Sequence, residues 1–254
     1  MVQLLRTNHY TPHLNEIDRE TFFRRLEQKW VQGEHLLLAG PTGTGKTTVA
    51  HRLLDYRDDV CVLAVKPKDE TLDRFKAGHL YGRREFKVIK SWPPDFTIRR
   101  VILWIKPKSI DDTKEQAIKI YRALNMMYRD GGWCIYFDEA GYTAGSLGLA
   151  QALGVLLNQG RSSKISVAAT VTRPRSMIAR VPVEALNQCR HLIIFKYVDE
   201  NEIDACAKIA GINKHLMFAH MQSLEYHRAE DGTEYSDFLY ISHNQVVIVR
   251  NKGE

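Results

Sequence analysis

Short, almost wholly apolar runs alternate along this chain with longer segments whose apolar residues recur every three or four positions. The first pattern predicts buried strands and the second amphipathic helices. HLLLAG ending at Gly40, Val60–Val65, Trp133–Phe137, Ile165–Thr170 and His191–Tyr197 read as buried strands. Phe86–Lys90 and Val101–Lys106 read as two more around a Trp92-Pro93-Pro94 turn. Ile17, Phe22, Phe23, Leu26 and Trp30 predict a helix over Asn15–Trp30, and TTVAHRLLDY a second one after the glycine-rich loop. Further helices are expected from about Asp111 to Asp130, stopped by Gly131-Gly132, over Leu147–Leu157, and over Asp199–Ala210 with Asp199 as its cap. Past residue 223 the pattern changes. Glu225–His227, Tyr235–Ile241 and Gln245–Val249 look like short strands joined at Asp231-Gly232 and around His243-Asn244, a small antiparallel extension.

Strands alternating with helices specify an α/β fold, with a mostly parallel sheet wrapped on both faces. At 254 residues the chain has room for one domain: a helical lead-in (1–34), a core (35–222) and a β-rich C-terminal extension (223–254). Hydrophobic residues at 44% and charged residues at 26% are close to globular averages. Ala140–Gly160 carries no charge, but five glycines interrupt it, so it reads as buried helix with loops rather than a membrane span. The N-terminus shows no apolar core followed by a small-residue cleavage site, so a cytoplasmic protein is expected. Cysteines 61, 134, 189 and 206 form no close pair and read as reduced core residues. His215 and His220, five apart, do not share a helical face, and no zinc site is expected.

Charge changes the picture more than composition does. Lys66–Lys108 holds twelve Lys/Arg against five acids, a net +7 in a chain whose total is +6. Positive charge concentrated in one region suits contact with a polyanion, and equally suits a solvated surface insertion.

GPTGTGKT, Gly40 to Thr47, matches G-x-x-x-x-G-K-[ST] between a strand and a helix. Its glycines let backbone N–H groups converge on phosphate oxygens, and the helix N-terminus adds a favourable dipole. The phosphate-binding set is Gly40, Pro41, Thr42, Gly43, Thr44, Gly45, Lys46, Thr47 and Thr48. Lys46 is expected on the β- and γ-phosphates of ATP and the Thr47 hydroxyl on Mg2+. Asp138 and Glu139, at the end of the strand WCIYF, supply two carboxylates. Asp138 is assigned to the magnesium and Glu139 to polarising the attacking water. Adjacent acids also imply an additional-strand arrangement, in which another strand separates the acid strand from the phosphate-loop strand.

Asn158 to Ser176, NQGRSSKISVAATVTRPRS, resembles the segment of the FtsK/HerA superfamily of DNA-pumping ATPases in which an arginine precedes a buried strand that ends in a polar residue and Arg-Pro. The similarity spans about Leu36 to Gly211. It implies a RecA-like additional-strand P-loop NTPase core. It also implies that Arg161 is offered to the γ-phosphate of a neighbouring subunit, that Thr172 holds a sensor position usually occupied by glutamine, and that Arg173-Pro174 completes the motif. Arg173 and Arg175 are the fallback arginines, and Arg161 could instead merely offset a helix dipole. Chains of this size in the superfamily resemble viral genome-packaging ATPases. A homo-oligomeric ring, a pentamer or hexamer, around double-stranded DNA is therefore expected, with a capsid portal or vertex protein as a further partner. Lys87, Lys90, Arg99 and Arg100 are the expected phosphate-backbone contacts, while Trp92 reads as packing rather than base stacking. A DNA-transfer or DNA-processing ATPase of a plasmid or integrated element and a non-motor nucleotide-gated switch or assembly factor are the alternatives.

Overall fold

The computed structural model describes residues 15–66, 84–107, 109, 112–228, 234–242 and 245–251. The expected turns at Asp231-Gly232 and His243-Asn244, and the charges at positions 68, 74, 76, 83 and 108, lie outside them.

The strands are β1 (Asn15–Asp18), β2 (Leu36–Ala39), β3 (Val60–Ala64), β4 (Lys87–Ile89), β5 (Arg100–Trp104), β6 (Cys134–Phe137), β7 (Ser166–Val171) and β8 (His191–Phe195). Near the C-terminus follow β9 (Tyr226–Arg228), β10 (Glu234–Ser236), β11 (Phe238–Ser242) and β12 (Gln245–Arg250). Ten of them form one sheet in the order β1-β12-β11-β8-β2-β7-β6-β3-β5-β4, and β9 pairs with β10 in a separate hairpin. From β8 to β4 every neighbouring pair is parallel. β7 lies between β2 and β6, the additional-strand order that the acid pair implied.

Alternate residues of the central strands serve two cores. Leu37, Leu63 and Ile135 face one cluster, whereas Leu36, Val62 and Tyr136 face the other. Helices α1 (Arg19–Lys29) and α2 (Lys46–Leu54) cover the second cluster with Phe22, Phe23, Val49 and Leu53. On the first pack α3 (Thr113–Asp130), α4 (Ala140–Gly145), α5 (Ala150–Gln159), α6 (Pro174–Ile178), α7 (Val183–Leu186), α8 (Glu200–Ala210) and α9 (Lys214–Gln222), through residues such as Ile120, Leu153, Ile203 and Met217. The four cysteines are free and buried, and Trp92 packs against the core. Among the described residues no helix is long and apolar enough to cross a membrane.

Three elements differ from the sequence expectation. Asn15–Asp18 is a strand, not helix: it pairs in parallel with Val247–Arg250, and Asp18 then caps α1 by accepting from Thr21 N at 2.8 Å. The helix expected over Leu147–Leu157 begins only at Ala150, as α5, because Gly148 turns the chain at φ +66, and the separate short helix α4 precedes that turn. The C-terminal strands do not stand apart from the core. β11 lies antiparallel to β8 and carries the main sheet outward to β12 and β1, and the run expected over Tyr235–Ile241 is divided at Asp237.

Arg99 and Arg100, expected at a nucleic acid, are both engaged with acids of their own chain. Arg100 is one-tenth exposed and donates to Asp55 at 3.0 Å and to the Arg57 carbonyl at 2.6 Å, with its guanidinium over Phe86. Arg99 bridges Asp59 at 2.8 Å and Asp130 at 2.5 Å and stacks on Trp133. Acids brought alongside by neighbouring loops use both cations to tie β5 to the ends of α2 and α3. Lys87 and Lys90 are exposed on and beside the edge strand β4.

Candidate functional site

β2 is apolar on both faces and ends at Ala39, after which the chain turns back over the sheet edge. Gly40 sits where a side chain does not fit: a Cβ there would lie 2.7 Å from Phe195 Cβ and 2.9 Å from Thr44 Oγ1. Its N–H donates to the Val171 carbonyl at 3.1 Å, so the loop leaves the sheet pinned between β7 and β8. Gly43 and Gly45 adopt φ of +85 and +90, and α2 begins at Lys46 with its N-terminus toward the loop. Inside the turn, Thr44 Oγ1 and Lys46 Nζ donate to the Pro41 carbonyl at 2.9 and 2.7 Å. Burial pulls the Lys46 ammonium down to about 8, with Glu139 and Asp138 opposing the shift. A polyanion seated on Nζ would restore its full charge.

Asp138 and Glu139 stand across from the loop. Asp138 is buried and accepts from three side chains. The Thr47 hydroxyl is at 3.4 Å and the Tyr136 hydroxyl at 3.0 Å from Oδ1, and Lys66 Nζ is 3.2 Å from Oδ2. Burial, with Asp138 beside it, holds the Tyr136 phenol well above its ordinary value, so it remains a donor. Glu139 points toward Thr172, whose hydroxyl is 3.3 Å from Oε2. Burial raises the Glu139 carboxyl, while Lys66, Lys46 and the Thr172 hydrogen bond oppose the shift. Below them Thr170 donates to the Asp138 carbonyl, and Tyr197 donates to the Thr172 carbonyl at 3.0 Å. A hydroxyl facing a carboxylate beside a phosphate cradle is an oxygen donor set that fits Mg2+ delivered with a nucleotide.

Lys66, Tyr136, Tyr197 and Ser236 were not singled out in the sequence. Lys66 follows the strand Val60–Val65 directly, a signal that a polar residue at the carboxyl edge of a buried parallel strand faces the ligand crevice. Ser236 donates to the Thr44 carbonyl at 3.1 Å from the far end of the chain, and no local pattern marks it.

The structure separates the three arginines. Arg173 and Arg175 are exposed on the loop edge, directly after Thr172. Arg161 is exposed in a 3₁₀ turn (Gly160–Ser163) at the opposite edge, before β7 begins. β7 crosses the sheet between that turn and the loop, so about 20 Å divides Arg161 from its own chain's phosphate site.

No protein-family model matches the chain, and no curated protein matches it in sequence. Solved structures do match. The genome packaging NTPase B204 from Sulfolobus turreted icosahedral virus 2, in complex with sulfate, superposes with a TM-score of 0.61 at 14% identity over 89% of this chain and 100% of that one. The same protein in complex with AMPPCP gives 0.60 at 14% identity, covering 87% and 98%. With ATP-gammaS it gives 0.58 at 13% identity, covering 86% and 98%. The chain has the α/β P-loop NTPase fold of this viral genome-packaging protein.

Proposed function

We propose that the chain is an ATP-hydrolysing motor that moves double-stranded DNA, packaging a viral genome into a capsid. The observation that carries the reading is Thr47 facing Asp138 across the phosphate loop, with Glu139 beside it held by Thr172. The loop's N–H groups and Lys46 would hold the phosphates of ATP, and Thr47 and Asp138 would hold an accompanying Mg2+, which would neutralise phosphate charge. Lys66 and Tyr136 keep the Asp138 carboxylate oriented. Glu139 accepts a proton from the water that attacks the γ-phosphate, and Thr172 fixes the direction of its carboxylate. B204, which shares the fold, is described as a genome packaging NTPase and has been seen with ATP-gammaS and AMPPCP. That history supports the packaging reading over a plasmid DNA-transfer enzyme.

Arg161 cannot serve its own site from the opposite sheet edge, which favours a role at a neighbouring subunit and hence a homo-oligomeric ring. A groove of about 310 Å³ between α3 and α5, with Tyr121 and Val155 partly exposed along it, runs toward the same corner. There Tyr128 donates to Gln159 at 3.1 Å, two residues before Arg161. DNA contacts in this reading fall to Lys87 and Lys90.

Steady-state ATPase activity with and without double-stranded DNA, over a salt series and with particle mass measured in parallel, tests the proposal. DNA stimulation that fades with salt in a multimeric particle is expected. Turnover indifferent to DNA at every salt concentration would favour a nucleotide-gated switch.

A further inference from the structure

The β9/β10 hairpin is tied to the phosphate loop on one face and braced on the other. Ser236, 3% exposed, makes the tie through its hydrogen bond to Thr44. On the braced face, Asp237 is fully buried and accepts from Arg250 Nη1 at 2.6 Å, Asn251 N at 2.9 Å and Glu225 N at 3.1 Å. Glu225, His227 and Asp237 bring potential ligand atoms within 4.8 Å of one another. Arg250 and two backbone N–H groups already satisfy Asp237, so this cluster is an anchor for the hairpin.

Tyr226 stands directly opposite Ser236 in the hairpin. Opposed residues of an antiparallel pair point to the same face. The next pair, Glu225 and Asp237, carries a backbone hydrogen bond of 3.1 Å. The Tyr226–Ser236 pair is therefore of the close, non-hydrogen-bonded kind, with Cα atoms about 4.5 Å apart. Tyr226 thus leaves the hairpin on the face that touches Thr44, and it is 51% exposed. Among the described residues, the aromatic side chains near the loop and its acids, Phe195, Tyr136 and Tyr197, are buried. A nucleotide whose phosphates occupy the loop projects its base past the loop and needs a flat apolar surface there.

We infer that Tyr226 is the platform on which the nucleobase stacks, so that the C-terminal hairpin completes the nucleotide site. The inference rests on the phosphate-loop reading above, and the experiment separates the two. Calorimetric titrations of wild type, Tyr226→Ala and Tyr226→Phe are made with Mg-ATP and with magnesium tripolyphosphate, which lacks a base. Tyr226→Ala is expected to weaken Mg-ATP by about tenfold and to leave tripolyphosphate within about twofold, with Tyr226→Phe near wild type toward both, because the ring carries the stacking. Unchanged Mg-ATP affinity in Tyr226→Ala would overturn the assignment. So would a parallel loss of tripolyphosphate, since that marks a hairpin that only shapes the loop. Wild-type protein that binds neither ligand would overturn the phosphate-loop reading, and this one with it.

Discussion

Two neighbouring carboxylates are given different work by what surrounds them. Asp138 faces three donors, Thr47, Tyr136 and Lys66, which fix its oxygens in a direction that suits holding a cation. Glu139 is raised by burial and faces one hydroxyl, which suits a group that takes up a proton. Glu139→Gln is expected to keep Mg-ATP binding and lower kcat by about 100-fold or more, read by titration and by steady-state turnover. The base acts only when ionised, so turnover falls as pH drops through its pKa. Because the folded value is raised above 4.5, the acid limb of kcat lies above the ordinary glutamate range. The Thr172 hydrogen bond opposes that rise, and Thr172→Val moves the limb to still higher pH. A limb that stays in place in Thr172→Val would remove Thr172 from the positioning of Glu139.

Among the elements, β5 shows how a basic sequence becomes structural. Arg100 ends the α2 turn by holding Asp55 and the carbonyls of Leu54 and Arg57, and Arg99 clasps Asp59 to Asp130 across the sheet. Removing one partner of a buried ion pair leaves the other charge stranded. Arg100→Ala is expected to cost about 3 kcal/mol of stability by urea unfolding. The same variant, where folded, should keep the wild-type salt slope of DNA binding, since a buried guanidinium releases no counterion. The C-terminal strands also carry more than their sequence suggests: Asp237 interrupts the strand run, gathers Arg250 and the Glu225 N–H, and so fixes Ser236 against the phosphate loop.

Across the molecule, the sheet holds the phosphate loop and Arg161 at opposite edges. In the proposed ring each subunit would carry half of two different sites. Arg161→Ala is expected to bind Mg-ATP normally and to lose turnover in the assembled particle. Lys46→Ala, which removes the loop's ammonium, fails at its own site while still presenting Arg161. Mixing the two inactive variants should restore part of the activity, because a ring then contains intact loops facing intact arginines. Full turnover of Arg161→Ala, or of wild type shown by sedimentation to be monomeric, would eliminate the role in trans.

Much of the loop and its acids was readable in the chain before folding. GPTGTGKT is contiguous, and its turn needs only glycines at positive φ and a helix start, both local requirements. The acids were readable because a buried strand that ends in Asp-Glu can only deliver them at the sheet edge, and their adjacency implied one strand between theirs and the loop's, though not the order of the whole sheet. Charge was the poorer guide. The density of Lys and Arg between positions 66 and 108 pointed to a polyanion, yet Arg100 meets Asp55 across 45 residues and Lys66 meets Asp138 across 72. Ser236 reaches Thr44 across 192. Motifs survive in one dimension where backbone conformation does the chemistry. Pairing between side chains from distant segments depends on which strands lie side by side, and hydrophobic periodicity carries no record of that partner choice.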